Sequence, residues 1–345
     1  MNTKILLAIA SVLLSFGCSD TPEQTMSADV ADPVTVYVAN DIITMNPEQP
    51  RAEAIAVVGE KILAVGSLDS VTSDLAEGTY EVDSRFEGQV LIPGLIEQHL
   101  HPLLAALTLS MEVIAIEDWV VPGGVAQGVT DRRGYLERLA AAEAEMPAND
   151  DTLFTWGFHH YFHDKLTRQD LDAISSTRPI LVWHRSVHEF ILNTPAMEKY
   201  GISPDVYATF SPSAREQSNY AEGHFWEQGF YPVLYRVLPD LAAPERLKPG
   251  LEFVERYLQS AGVTTIAEPG GLVSEELQAA LSTVLGDAST PFRSYFIVDG
   301  KTIAMQHTDN LIAATEAPLA WGSGKTAYLP DQTKLFADGA LFSQA

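Results

Sequence analysis

Alternation of apolar and polar positions begins just after Pro33. Residues 34–38, Val-Thr-Val-Tyr-Val, are β-branched and two-periodic and predict a strand, continued by Ile-Ile-Thr-Met at 42–45. Residues 52–58 and 62–66 flank the polar Gly59-Glu60-Lys61, the pattern of a hairpin. A further short strand is predicted at 79–83. Strands so few and so one-sided do not make a stable domain alone, so residues 33–90 are expected to be part of a small β-sandwich.

A denser apolar run follows at 90–96 and leads into Glu97-Gln-His99-Leu-His101-Pro102. The run suits a buried strand, and the two-residue repeat of a strand puts His99 and His101 on one face. Paired imidazoles at a strand end suit a metal that takes nitrogen ligands, with zinc the commonest candidate. Histidines also satisfy hydrogen bonds in cores and turns, so the pair by itself leaves both readings open.

Beyond His101 the pattern is mostly helical. Residues 131–145, 186–200, 249–260 and 274–285 are predicted helices, with Pro249 placed for a first turn. Short strands are predicted at 153–156, 180–183, 263–267, 292–298 and 333–338.

Of 345 residues, 46% are hydrophobic, which excludes wholesale disorder and allows a large core. Lys and Arg number 21 against 46 Asp and Glu, a net charge of −25. Such a surface repels phosphate backbones, so nucleic acid is not expected as a partner and a small-molecule substrate is. The single cysteine excludes internal disulfides and a Cys-rich zinc site.

That cysteine is Cys18, at the end of an N-terminal segment with one lysine and an apolar run over 5–16. The run is shorter than the ~20 residues that span a bilayer. It reads as a secretory signal over 1–18 followed by a polar tether over 19–32. The Ser-Phe-Gly-Cys end resembles a bacterial lipobox, with Ser15 and Phe16 departing from its usual residues. The expected location is therefore the bacterial cell envelope, periplasmic or lipid-anchored at Cys18, with plain secretion as the alternative.

The hairpin Gly59-Glu-Lys-Ile-Leu-Ala-Val-Gly66 followed by Ile92-Pro-Gly-Leu-Ile-Glu-Gln-His-Leu-His101 resembles the amidohydrolase superfamily, with Glu97 in place of the usual Asp. Within it, the chain is most similar to the YtcJ-like branch, amidohydrolase family 3. Thr155-Trp-Gly157, Arg178-Pro-Ile180, His188 with Asn193, Gly262-Val-Thr-Thr265 and Lys334-Leu-Phe-Ala-Asp-Gly339 support that likeness.

The resemblance implies an α/β fold: a metal-dependent (β/α)8 TIM-type barrel beside the sandwich, with a long insertion over 103–260 between barrel strands 1 and 2. Strands ending near His101, Ala267, Val298 and Asp338 are then barrel strands 1 to 4, so residues 91–345 hold about half a barrel. It also implies hydrolysis of non-peptide, amide-type carbon–nitrogen bonds by metal-activated hydroxide. A hydrolytic deaminase, a lactone hydrolase or a non-catalytic envelope lipoprotein are alternatives. The implied metal ligands are His99, His101 and Lys334, the last as a carboxylated lysine bridging one or two divalent ions, zinc above all. A salt bridge from Lys334 to Asp338 is the alternative. His188, Asn193 and Trp156 are the implied substrate-side residues. The general-base aspartate and two further histidines of the superfamily are expected beyond Ala345, in a longer product.

Other chemistry-bearing residues read less sharply. His159, His160 and His163 are expected in a surface loop or one lining the substrate pocket, because the insertion map sets them apart from the barrel strands. His184 and His188 share a face if helical. Glu227, in a family Gly-x-x-x-Glu turn, and Glu268, ending strand 2, fit a structural or an active-site role.

Overall fold

The computed structural model describes residues 33–147, 151–270 and 274–337. The segment read as a signal, its tether, Cys18 and Asp338 lie outside the described residues. The chain divides into two compact units, one up to Pro93 and one from Gly94. Among the described residues no helix is long and apolar enough to cross a membrane.

The first unit is a four-stranded mixed sheet of β1 (Val34–Ile43), β2 (Arg51–Val58), β3 (Lys61–Gly66) and β4 (Tyr80–Leu91), in the order β3-β2-β1-β4. The predicted hairpin is β2 and β3, paired antiparallel. The two predicted segments at 34–38 and 42–45 form one strand, with an irregularity in its pairing between Val38 and Ile42. β4 runs parallel to β1 and is far longer than the segment predicted at 79–83. Alternation puts Val36, Ala54 and Ala56 on one face, where they pack on Val71 with almost no exposure.

The second unit holds β5 (Leu95–Glu97), β6 (Glu112–Val113), the hairpin β7 (Trp119–Val121) and β8 (Gly124–Ala126), and β9 (Leu153–Phe158). It continues with β10 (Ile180–His184), β11 (Glu189–Leu192), β12 (Ser218–Asn219), β13 (His224–Trp226), β14 (Val263–Pro269), β15 (Arg293–Asp299) and β16 (Thr326–Lys334). β5, β14, β15 and β16 form a parallel sheet in chain order. Helices Glu275–Leu285, Gly300–Gln306 and Leu311–Glu316 lie in the connections, as parallel strands require a crossover. β5 and β16 are its edges, and the sheet does not close on itself among the described residues.

Between β5 and β14 the chain builds a six-stranded sheet, β12-β13-β11-β10-β9-β6. β6, β9 and β10 are parallel, and β11 to β13 add antiparallel. Every residue of β9, β10 and β11 is buried, as in a sheet covered on both faces, so polar residues in these strands are few. The helix Arg132–Glu145 forms as predicted, its first turn capped by Asp131, whose carboxylate accepts from Gly134 N–H at 3.0 Å.

Four predicted elements differ, the first being the run 90–96, which is not one buried strand but splits between the end of β4 and the exposed β5. Residues 186–200 are not one helix: β11 occupies 189–192, and only Thr194–Lys199 is helical, because consecutive Phe190, Ile191 and Leu192 are buried on both sides as a strand is. The helix expected from 249 begins at Pro244, which takes the first-turn position instead. The strand expected at 333–338 is β16, which ends at Lys334. Its start was hidden because Pro330 and Asp331, the latter with φ of 62°, interrupt the pattern.

Candidate functional site

The carboxyl ends of the four parallel strands gather the first site. His99 and His101 follow β5, Glu268 lies near the end of β14, and Lys334 ends β16. The two imidazoles stand edge to face, with ring centroids 5.2 Å apart. His101 Nδ1–H donates to Glu268 Oε1 at 2.5 Å. With Nδ1 so engaged, Nε2 is the ring nitrogen left to ligate a metal. His99 backbone N–H donates to Glu97 Oε1 at 2.9 Å, so Glu97 holds the turn between the strand and the pair.

Glu268 is 3% exposed, and burial pushes its carboxyl pKa up against the opposing pull of His101. Burial lowers the His99 pKa, helped by His101 and by the Lys334 ammonium. Tyr328, on β16, is raised to about 12 by burial and by the Glu268 charge.

Lys334 is half-buried and aligned with Asp299 of β15. Its stem lies against Gly270, whose φ is +87°; a Cβ there would stand 2.7 Å from Lys334 Cγ and 2.9 Å from its Cβ. Its Nζ sits 5.1 Å from the centre of the Phe336 ring. Lys334 is the last residue of β16, and Leu335 and Phe336 follow the strand's end.

The expected substrate-side residues do not gather with these. Asn193 is fully buried, and its side chain is spent on backbone. Its Oδ1 accepts from Ile180 N–H at 2.8 Å and Ala196 N–H at 3.0 Å, while Nδ2 donates to Ser175 O and Arg178 O. This corrects the substrate-side expectation: Asn193 caps the helix Thr194–Lys199 and ties it to β10. Trp156 packs edge to face on Trp119 at 5.1 Å inside the core, where it is 8% exposed. His188 is not on a helix with His184. It lies in the turn before β11, half-exposed, with Nδ1 3.2 Å from Glu227 Oε1. Glu227 has a φ of 44° and its N–H donates to His188 O at 3.1 Å, so the backbone ties the two residues together, while its buried Oε1 makes no hydrogen bond among the described residues.

A second group of ionisable side chains lies at the six-stranded sheet. His160 Nε2–H and His224 Nε2–H both donate to Glu189 Oε2, each at 2.8 Å. β11 and β13 bring Glu189 and His224 to one face, because His224 is paired with Ile191, two residues beyond Glu189. His184 stacks on His160 with centroids 5.0 Å apart and places Nδ1 3.5 Å from Glu189 Oε1. Its Nε2 is buried with no hydrogen-bond partner among the described residues. Burial would raise the Glu189 pKa, but the bonds from His160 and His224 hold it well below the usual carboxylate range. Burial drives His184 down to about 3, so that ring is neutral.

The surface-loop expectation for 159–163 is thereby corrected. His160 joins Glu189, and His163 is 1% exposed, its ring tilted against that of Tyr135 with centroids 4.5 Å apart and bonded through Nε2–H to Val129 O. The sequence signal missed was distance: Glu189 lies 29 residues from His160 and 35 from His224.

Residues 86–345 match the amidohydrolase family, and the chain belongs to it. It is 26% identical over 251 residues to the exoenzymes regulatory protein AepA of Pectobacterium carotovorum subsp. carotovorum, covering 71% of this chain and 51% of that protein. It is 27% identical over 165 residues to YtcJ of Bacillus subtilis (strain 168), named as an amidohydrolase, covering 47% and 28%. The chain thus spans about half or less of the length of these relatives. Its fold is similar to that of an uncharacterized metal-dependent hydrolase from Pyrococcus horikoshii OT3, with a TM-score of 0.61 at 14% identity, over 90% of this chain and 56% of that one.

Proposed function

We propose that the chain carries part of the active site of a metal-dependent hydrolase that cleaves amide-type, non-peptide carbon–nitrogen bonds in small molecules. Its metal ligands are His99, His101 and Lys334, and its parallel strands are barrel strands 1 to 4 of a (β/α)8 barrel. The observation that carries the reading is the commitment of His101 Nδ1–H to Glu268, with the His99 imidazole alongside at the carboxyl end of a parallel sheet.

The donor set fits a borderline divalent ion such as zinc, which takes imidazole nitrogen and carboxylate-type oxygen. Such an ion, when bound, supplies the Lewis acidity that lowers the pKa of water and polarises a carbonyl. The chain's own residues prepare the place. Glu268 orients His101 and occupies its Nδ1, so that Nε2 is the nitrogen that would face the ion. Glu97 fixes the turn that presents His99. Gly270 leaves room for the Lys334 stem, which brings the lysine amine to the strand ends; carboxylated, it becomes an anionic oxygen ligand. His188, braced by Glu227, is the remaining substrate-side candidate, as a hydrogen-bond donor to a carbonyl or carboxylate of the substrate.

The test is metal content and hydrolysis on protein purified without chelator, assayed on a panel of N-acyl and cyclic amide substrates. Bound zinc that falls on His99→Ala or His101→Ala, together with lost hydrolysis, supports the reading. Metal content and activity unchanged in both variants overturn it.

A further inference from the structure

We infer that His160, Glu189 and His224 form a second divalent-metal site, on the inserted six-stranded sheet and separate in ligands from the His99–His101 pair. One ligand atom from each of the three lies within 4.8 Å of the others. Two imidazole nitrogens and one carboxylate oxygen make a donor set that zinc and its first-row neighbours accept.

The arrangement is poised rather than merely crowded. Both Nε2 atoms converge on the same oxygen, Glu189 Oε2, from elements far apart in the chain: the start of a short helix, the start of β11 and the start of β13. Donor atoms of a tetrahedral zinc stand about 3.3 Å apart. The two 2.8 Å hydrogen bonds need therefore open by only about half an ångström as the ion replaces their protons. Ligation through Nε2 needs each imidazole neutral with its remaining proton on Nδ1, so the ion takes the place of the two Nε2 protons, which pass to Nδ1 or to solvent, while the carboxylate stays anionic.

The surroundings fit as well. Glu189 is 4% exposed in its side chain, whereas His160 is 35% and His224 19% exposed, so the carboxylate anchors the site from below and one side stays open to solvent. Three protein ligands and an open position are the composition of a site that admits water or another ligand. His184 packs against the His160 ring and stands beside the second carboxylate oxygen, holding both ligands in place. Its orphaned buried Nε2 is a second sign that this pocket is built for polar chemistry and not only for packing.

A purely structural triad, two histidines tethered to a buried carboxylate, predicts the same hydrogen bonds but no affinity for a metal. The discriminating experiment uses the full chain, stripped with chelator and dialysed against Zn2+, with bound zinc counted per chain. The H99A/H101A variant removes the first site and is expected to retain one zinc. Adding H160A and H224A is expected to remove it. With Co2+ in place of zinc, the visible d–d bands of the H99A/H101A protein are expected to vanish in the fourfold variant.

Should the fourfold variant lose its circular-dichroism signature, E189Q in the H99A/H101A background keeps the side-chain shape and removes the charge. It is expected to weaken zinc at least tenfold. A folded H99A/H101A protein that holds no zinc, zinc retained after loss of His160 and His224, or unchanged affinity in E189Q each overturns the inference. Because these counts are made in the absence of His99 and His101, they do not depend on whether the proposed hydrolase site is correct.

Discussion

His101 and Glu268 are 167 positions apart in the chain and meet through a 2.5 Å hydrogen bond that joins the turn after β5 to the end of β14. A carboxylate that orients a ligating imidazole typically contributes 10–100-fold to metal affinity. Glu268→Gln, which keeps the shape and loses the charge, should therefore weaken zinc at His99 and His101 by roughly tenfold or more. Competition against a chelator of known affinity measures it. Unchanged affinity would show that Glu268 is a packing residue.

Gly270 and Lys334 constrain one another. Ala at 270 would have to tolerate a φ of +87° and push the Lys334 stem aside. A left-handed conformation costs a non-glycine residue about 1–2 kcal/mol. Gly270→Ala is expected to lower the melting temperature and, by displacing Lys334, the metal content too. A variant that melts lower but binds metal normally would detach Lys334 from the site.

Asn193→Ala is expected to destabilise the chain by about 3 kcal/mol or more, since it strands buried backbone groups that each cost about 1–3 kcal/mol. Urea denaturation reads the loss. Any protein that remains folded should keep its KM, because the side chain has no capacity left for a substrate.

His163 makes stability depend on pH. Its Nδ1 accepts from His159 N–H at 3.1 Å and its Nε2–H donates to Val129 O at 2.7 Å, so the folded ring is neutral, and burial lowers its pKa. The unfolded chain, with histidine near pKa 6.5, then binds more protons than the folded chain below about pH 6.5. Stability is full above that pH and falls as pH drops through it. His163→Gln should melt lower at pH 7 but lose less between pH 7 and pH 5. His159 and His184, also lowered by burial, keep the remaining slope from vanishing. Equal slopes in the two proteins would refute the assignment.

Cys18 carries the envelope proposal. Cys18→Ser expressed in a bacterium should move the protein from the membrane fraction to a soluble one and abolish incorporation of labelled palmitate. Label incorporated equally in the variant would exclude acylation at this position.

The sequence pattern exposed what depends on neighbours in the chain. The β2–β3 hairpin and the helix capped by Asp131 were legible, because alternation, turn residues and caps act over a few positions, whereas the apolar run before His99, which reads as one buried strand, is split between β4 and β5 and exposed. The paired histidines at a strand end were legible for the same reason. What was not legible depends on distant partners. β12 and β13 are two and three residues long, too short to register a period. Asn193 looked like a substrate contact because three of its four backbone partners, at Ser175, Arg178 and Ile180, come from other segments. His160 looked like a loop residue because Glu189 and His224 reach it only once β9, β11 and β13 are side by side. Glu268 could be weighed only as turn or active-face residue until His101 stood beside it.

Val263 pairs with Leu95, so β5 can join the parallel sheet only when two segments flanking the whole inserted sheet come together. A free loop of that length carries a closure entropy that grows with the logarithm of its size. The inserted sheet removes most of that freedom in advance, since β9, β10 and β11 associate across much shorter connections. The topology predicts that the insertion forms early and sets the distance across which β5 finds β14. The excursion that interrupts the hydrolase-like sheet in sequence thus acts in time as its template, and a lesion in the insertion would reach His99 and His101 kinetically, without touching either.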